Sequence, residues 1–178
     1  MDIIAESISD NAEYRTEIRS LTMDKGILMT TAKDPEAESV YEMYYDFSTP
    51  VRKMTGYRTL AINRGEKEKF LSVKIEAPVD EITGYLIRQV IVRDNRNTND
   101  FLRNTITDSY ERLIAPSIER DIRSSLTEAA EDGAIKVFGS NLKQLLMQPP
   151  INGHVVLGWD PAFRTGCKLA VVDATGKV

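Results

Sequence analysis

One cysteine, one histidine and one tryptophan stand among 178 residues. Cys167 on its own cannot close an internal disulfide, which fits a reducing compartment. With His154 the only histidine, no zinc constellation of cysteines and histidines assembles within one chain. No apolar run approaches the roughly 20 residues of a membrane span, and Met1-Asp2-Ile3-Ile4 lacks the basic n-region of a secretory signal. Aromatics are scarce at 7%, and Tyr41, Tyr44, Tyr45 and Phe47 crowd together, as core or interface residues do more often than base-stacking platforms. Repeats and low-complexity tracts are absent. Net charge is −4, which argues against a histone-like polyanion surface over the whole chain but leaves room for a local basic face. What is present, 42% hydrophobic residues and 28% charged residues of alternating sign, is the balance of a soluble cytoplasmic protein with a core.

Helical periodicity dominates the chain. A short helix is expected over Asp2–Ser7, and a second, capped by Ser9 or Asp10, carries Tyr14, Ile18 and Leu21 and ends at Gly26. Residues 27–33 read as an irregular connection. Asp34-Pro35 pairs a capping carboxylate with proline at the first helical position and predicts a helix through Val40, Tyr41 and Tyr44. Thr49-Pro50 starts a short turn to Met54, and a charged helix follows from Tyr57 to Glu68. Residues 70–76 alternate cleanly and form the best strand of the first half, ended by Pro78. Residues 80–94 are ambiguous: their Ile, Val and Tyr content favours a strand, but Ile82, Leu86 and Val90 keep helical spacing, and the segment is read as a helix. Asn97 or Thr98 then caps a helix carrying Leu102, Ile106, Tyr110 and Leu113, which Pro116 interrupts as a kink or a new start.

Residues 117–148 give the strongest helical signal. Ile118, Ile122, Leu126, Ala129, Gly133, Val137, Asn141 and Leu145 form one stripe, a spine for the shorter helices to pack on. Gly133 and Gly139 are its two weak points, and Pro149-Pro150 stops it. Residues 155–173 then read as two apolar strands around an Asp160-Pro161 turn. The fold class is therefore mainly α: a multi-helix scaffold with one long C-terminal spine helix, a small β element near 70–76 and a truncated β-hairpin at 155–173. The division expected is residues 1–150, helical, and residues 151–178, two strands of a second domain. Two strands alone are marginal in water, so their unpaired edges are expected to meet another copy, fold back or lack order.

Four blocks carry a family resemblance: Arg58-Thr59-Leu60-Ala61-Ile62-Asn63-Arg64-Gly65-Glu66-Lys67-Glu68, Arg112-Leu113-Ile114-Ala115-Pro116-Ser117-Ile118-Glu119-Arg120-Asp121-Ile122-Arg123, Asn141-Leu142-Lys143-Gln144-Leu145-Leu146-Met147-Gln148-Pro149-Pro150 and Leu157-Gly158-Trp159-Asp160-Pro161-Ala162-Phe163-Arg164-Thr165-Gly166-Cys167-Lys168. In this order they resemble the Tex family of bacterial transcription accessory proteins over nearly the whole chain. The resemblance implies an N-terminal helical region followed by the start of a YqgF-type, ribonuclease-H-like domain, in proteins that carry helix-hairpin-helix and OB-fold RNA-binding modules further on. Two places depart from it. Gly56-Tyr57-Arg58 stands where Ser-His-Arg is expected, and Ala162 where glycine is, which disfavours a turn needing positive φ at that position.

Candidate sites are few. Asp160 ends the first strand of the expected ribonuclease-H-like domain, where such nucleases hold a metal beside acids from later strands. The alternative, preferred here, is a carboxylate bonded to the backbone of the turn that follows, and Asp173 is read as another turn cap. Within the motif Asp160, Pro161, Arg164, Thr165 and Gly166, Arg164 and Lys168 either meet a phosphate or Arg164 pairs with Asp160 and holds the turn; the residues leave both open. Arg88, Arg93, Arg96 and Arg103 straddle a loop between two helices, an outline similar to a helix-turn-helix whose arginines track a nucleic-acid backbone; Asp94, Asp100 and Asp108 dilute that field, and a solvated surface is the plainer reading. Cys167 is expected to be a small buried residue. The function expected is a non-catalytic scaffold segment of a Tex-like, nucleic-acid-binding transcription accessory protein, with no cofactor or metal. Its partners would be RNA or DNA through the full-length protein, the transcription machinery and, through the C-terminal hairpin, a second copy; no membrane is involved. The alternatives are a fragment of a metal-dependent nuclease with Asp160 as one ligand, and a helical protein-interaction module.

Overall fold

The computed structural model describes residues 2–93, 95–149, 151, 153–162, 164 and 166–178, with residue 96 described by its backbone alone. The chain is mainly α and divides into two compact units, Met1–Ile135 and Lys136–Val178.

In the first unit, α1 (Asp2–Ser9) precedes α2 (Ala12–Lys25). The cap of α2 is Asn11, not Ser9 or Asp10: its Oδ1 accepts from the N–H groups of Glu13 and Tyr14 at 2.9 and 3.1 Å. Gly26 closes α2 with ordinary extended backbone, φ −66°, its N–H donating to the Thr22 carbonyl at 2.9 Å. A Cβ there would lie 2.3 Å from that carbonyl oxygen, so glycine is needed for space and not for positive φ.

Residues 27–33, expected to be irregular, hold the central strand. β1 (Ile27–Ala32) pairs antiparallel with β2 (Asp46–Pro50) on one side and β3 (Leu71–Glu76) on the other. Leu28 and Thr30 point inward while Ile27 and Met29 are exposed, so polarity runs against the usual alternation. The buried Thr30 hydroxyl is satisfied by the Tyr44 carbonyl. The helix predicted after Asp34-Pro35 does not form. Asp34 Oδ1 instead accepts from the Glu36 N–H at 3.1 Å, a local turn that aspartate favours equally, and only Glu42–Tyr44 makes a short 3-10 turn. Tyr41 and Tyr44 are buried in the core from that loop.

The predicted charged helix is α3 (Gly56–Lys67), the predicted strand is β3, and the ambiguous segment is helical as α4 (Val79–Val90). Next, α5 (Arg96–Asp108), a π-helical turn (Ser109–Ile114) and α6 (Ala115–Leu146) follow without a break. Pro116 has no N–H to donate one turn back, and its ring crowds the carbonyl there. The widened turn before it absorbs this, with the Ala115 N–H donating to the Tyr110 carbonyl five residues back. Of the two expectations for Pro116, the new start does not occur: the helix continues through it.

Ile18, Leu28, Ile62, Leu71, Ile82, Leu86, Ile106, Ile114 and Ile122 form the core. Polar ties from α6 fasten the rest: Arg19 to Asp121 at 3.2 Å, Asn63 to Thr127 at 2.8 Å, and Arg123 to Glu66 through both nitrogens. The Glu119 carboxylate accepts from the Ile75 N–H at 3.0 Å, covering part of the open edge of β3. The spine expectation needs correcting in extent. Ile118, Ile122 and Ala130 are buried and Leu126 is half-buried, but Ala129, Gly133, Val137, Asn141 and Leu145 are exposed. Neither Gly133 nor Gly139 has a neighbour against the missing Cβ, and α6 runs through both.

The second unit holds the C-terminal turns of α6 and an antiparallel pair, β4 (Val156–Asp160) and β5 (Lys168–Val172). The two strands are in full register, and their side chains are exposed or half-buried on both faces. Cys167, expected to be buried, is exposed.

Candidate nucleic-acid interface

Leu86 and Ile82 of α4 and Ile106 of α5 are buried in one core, so the two helices present their other sides to solvent. Asn95 caps α5, accepting from the Asn97 N–H at 3.0 Å, two places before the first of the residues expected to do so. Arg88 lies in the last turn of α4, where a cation faces the negative end of the helix dipole, Arg93 in the connection and Arg103 on α5. All three are exposed, and among the described residues none has an ion pair or a hydrogen bond. Five arginines elsewhere in the first unit, Arg19, Arg52, Arg64, Arg112 and Arg123, are instead paired with carboxylates. The side chain of Arg96 and the whole of Asp94 lie outside the described residues.

Arg164 and Lys168 belong to the second unit and are exposed. Asp160 sits opposite Lys168 in the strand register. Neither expected bond of Asp160, to the turn backbone or to Arg164, is formed among the described residues, and Thr165 lies outside them. Positive φ falls on Gly166 at 81°, while Ala162 keeps negative φ. Asp173 does cap its turn. Its Oδ1 accepts from the Thr175 hydroxyl at 2.7 Å and from the N–H groups of Thr175 and Lys177 at 2.8 and 3.0 Å. These bonds to the ionised form, the Thr175 hydroxyl first, hold its carboxyl below the usual aspartate value.

An open groove of about 620 Å³ runs between α3 and α6. Glu119, Glu128 and Glu131 outweigh Arg120 on its walls, while Glu66 and Arg123 neutralise each other, so it does not suit a phosphate. Among the described residues no three His, Cys, Asp or Glu side chains converge as metal ligands. One arginine that sequence reasoning passed over stands out. The Arg58 guanidinium lies 5.6 Å from the ring centre of Phe47 and 5.6 Å from that of Tyr57, without a carboxylate partner among the described residues. Tyr57 and Arg58 are adjacent in sequence, but nothing local signals that Phe47 of β2 joins them.

Comparison with known proteins agrees with this organisation. Residues 1–138 match the Tex central region-like family, and residues 154–178 match the Tex protein YqgF-like domain. The chain is 51% identical to the protein YdcI of Bacillus subtilis strain 168, over 99% of its own length and 25% of that protein's. It is 33% identical to the transcriptional accessory protein Tex of Neisseria gonorrhoeae, over 99% of its length and 24% of that protein's. With the human S1 RNA-binding domain-containing protein 1 it shares 31% identity, over 99% of its length and 19% of that protein's. The chain thus spans about a quarter or less of the length of these relatives, and with both a central-region and a YqgF match in the expected order it belongs to the Tex family.

Proposed function

We propose that this chain is a non-catalytic scaffold segment of a cytoplasmic, nucleic-acid-binding transcription accessory protein, holding neighbouring domains in place and offering phosphate contacts of its own. The observation that carries the reading is the set of exposed guanidinium groups of Arg88, Arg93 and Arg103 around the α4–α5 connection, unpaired among the described residues. An unpaired arginine reaches a phosphate without first breaking an ion pair. The names of relatives, a transcriptional accessory protein and an S1 RNA-binding domain-containing protein, support the same direction. Fluorescence anisotropy with single-stranded RNA and duplex DNA, at low and moderate salt, tests it. Binding is expected to weaken steeply with salt. Replacing all three arginines by alanine should flatten the salt slope for single-stranded RNA by about 2. An unchanged slope would remove these arginines from the interface.

Contact with the transcription machinery and self-association through the hairpin belong to this reading as well. Exposed Val155, Leu157, Trp159, Leu169 and Val171 support the latter. Sedimentation over a range of concentrations should detect a dimer, and a monomer throughout would refute it.

A further inference from the structure

We infer that Phe47, Arg58 and Tyr57 form a stacking site for an unpaired base of single-stranded nucleic acid. The inference rests on the reading of this chain as part of a nucleic-acid-binding protein, but it invokes different residues. The arrangement is a ladder leading from the core to solvent. Tyr44, buried, meets Phe47 edge-on at 5.4 Å, and the Arg58 guanidinium carbon lies 5.6 Å from the centres of both the Phe47 and Tyr57 rings. The outermost member, Tyr57, is 66% exposed.

The chemistry of the set narrows the ligand. A quaternary ammonium or methylated lysine needs aromatic faces free of positive charge, and here a guanidinium already lies against both rings. A simple carboxylate would use Arg58 and leave the exposed ring idle. A nucleotide uses both: its base has a π-face for Tyr57, and its phosphate meets Arg58, which has no carboxylate partner among the described residues. Lys53, exposed and four residues before Tyr57, adds positive charge close by in the chain. Thr55 gives no side-chain cap to the first turn of α3, which contains Tyr57 and Arg58, and a helix N-terminus favours the same anion. Contact with both rings restrains the guanidinium, so less side-chain freedom is lost on binding.

The test is anisotropy of the full chain with labelled oligouridine and with an abasic oligomer of equal length. Tyr57→Ala should weaken oligouridine binding roughly tenfold and leave the abasic oligomer unaffected, while Tyr57→Phe keeps the parental affinity. Arg58→Lys, which keeps the charge but loses the planar group, should weaken both oligomers. Because the Tyr57 side chain is exposed, circular dichroism and the melting curve of Tyr57→Ala should match the parent. If Tyr57→Ala binds oligouridine like the parent while the Arg88, Arg93 and Arg103 variant is weakened, the stacking site is wrong and the phosphate contacts stand. If Tyr57→Ala loses both oligomers equally, or if the parent does not distinguish them, stacking is likewise overturned. A parent chain that binds neither oligomer overturns the stacking site and the phosphate contacts together.

Discussion

Replacing Gly65 by alanine sets two effects of similar size against each other, and the packing around α3 decides the sign. Alanine is favoured over glycine within a helix by about 1 kcal/mol. A Cβ at position 65, however, would lie 2.7 Å from Cδ1 of Leu71, 3.1 Å from its Cγ and 3.1 Å from Cδ1 of Tyr41. Neither neighbour is free to move aside. Leu71 is fully buried, and Tyr41 is held by its hydroxyl bond to Glu68 at 2.9 Å and by ring contact with Phe70 at 5.8 Å. Overpacking of this kind costs about 1–3 kcal/mol, so after the propensity gain Gly65→Ala should destabilise the chain by up to about 2 kcal/mol net. The corresponding fall in melting temperature is up to about 8 °C for a chain of this size. Gly133→Ala provides the control, since nothing lies against its Cβ position. There the propensity term acts alone, and the change should stabilise α6 by up to about 1 kcal/mol. Urea denaturation followed by circular dichroism measures both. In a Leu71→Ala background the cost of Gly65→Ala should shrink to what the Tyr41 contact leaves, a coupling that a double-mutant cycle isolates. If Gly65→Ala stabilises the chain as Gly133→Ala does, the close approach of α3 to β3 is not real.

Three further outcomes are expected. Ile122→Ala opens a cavity at a fully buried position of α6 and should cost about 2–5 kcal/mol in urea denaturation; a loss under about 1 kcal/mol would place Ile122 outside the core. Glu119→Ala removes the acceptor from the Ile75 N–H and should cost about 1–2 kcal/mol, whereas Glu119→Gln keeps an acceptor and should cost less; equal effects would show that the edge contact is idle. Acid should destabilise the fold through Glu68, Asp108 and Asp173, whose carboxyls are held below their usual values by hydrogen bonds from Arg64, Arg112 and Thr175 respectively. The unfolded chain takes up these protons first as pH falls, so their stabilisation is complete above about pH 5 and disappears as pH drops through the lowered folded values; a urea midpoint that stays constant from about pH 5 to pH 3 would contradict this.

How much of the molecule was legible locally varies element by element. The helices α3, α4 and α6 and the strand β3 follow from periodicity, because their apolar residues recur at the spacing of the face they bury. The four blocks quoted from residues 58–168 were enough to point to the Tex family. Asp34-Pro35 misled for a physical reason: aspartate before proline suits a turn as well as a helix start, and Tyr41 and Tyr44 supply core area from a loop. The arginines Arg88, Arg93 and Arg103 could be named from sequence, but their lack of carboxylate partners among the described residues depends on where the other side chains lie.

The amino-acid order by itself determined the mainly α class, the long helix and the apolar hairpin, since helical contacts span only a few residues and the hairpin pairs two strands that are neighbours in the chain. Tertiary structure alone decided that residues 27–32 are the centre of a sheet. That role comes from pairing Leu28 with Thr49 and Ile75, partners more than 20 residues away in the chain, and the strand's own polarity runs against its burial. Tertiary structure also decided that Pro116 is absorbed in a π-helical turn, that burial along α6 stops at Ala130 and that Phe47 joins Tyr57 around Arg58. In each case the deciding contact lies outside the local window, or, as with Pro116, depends on whether the helix is needed intact on both sides.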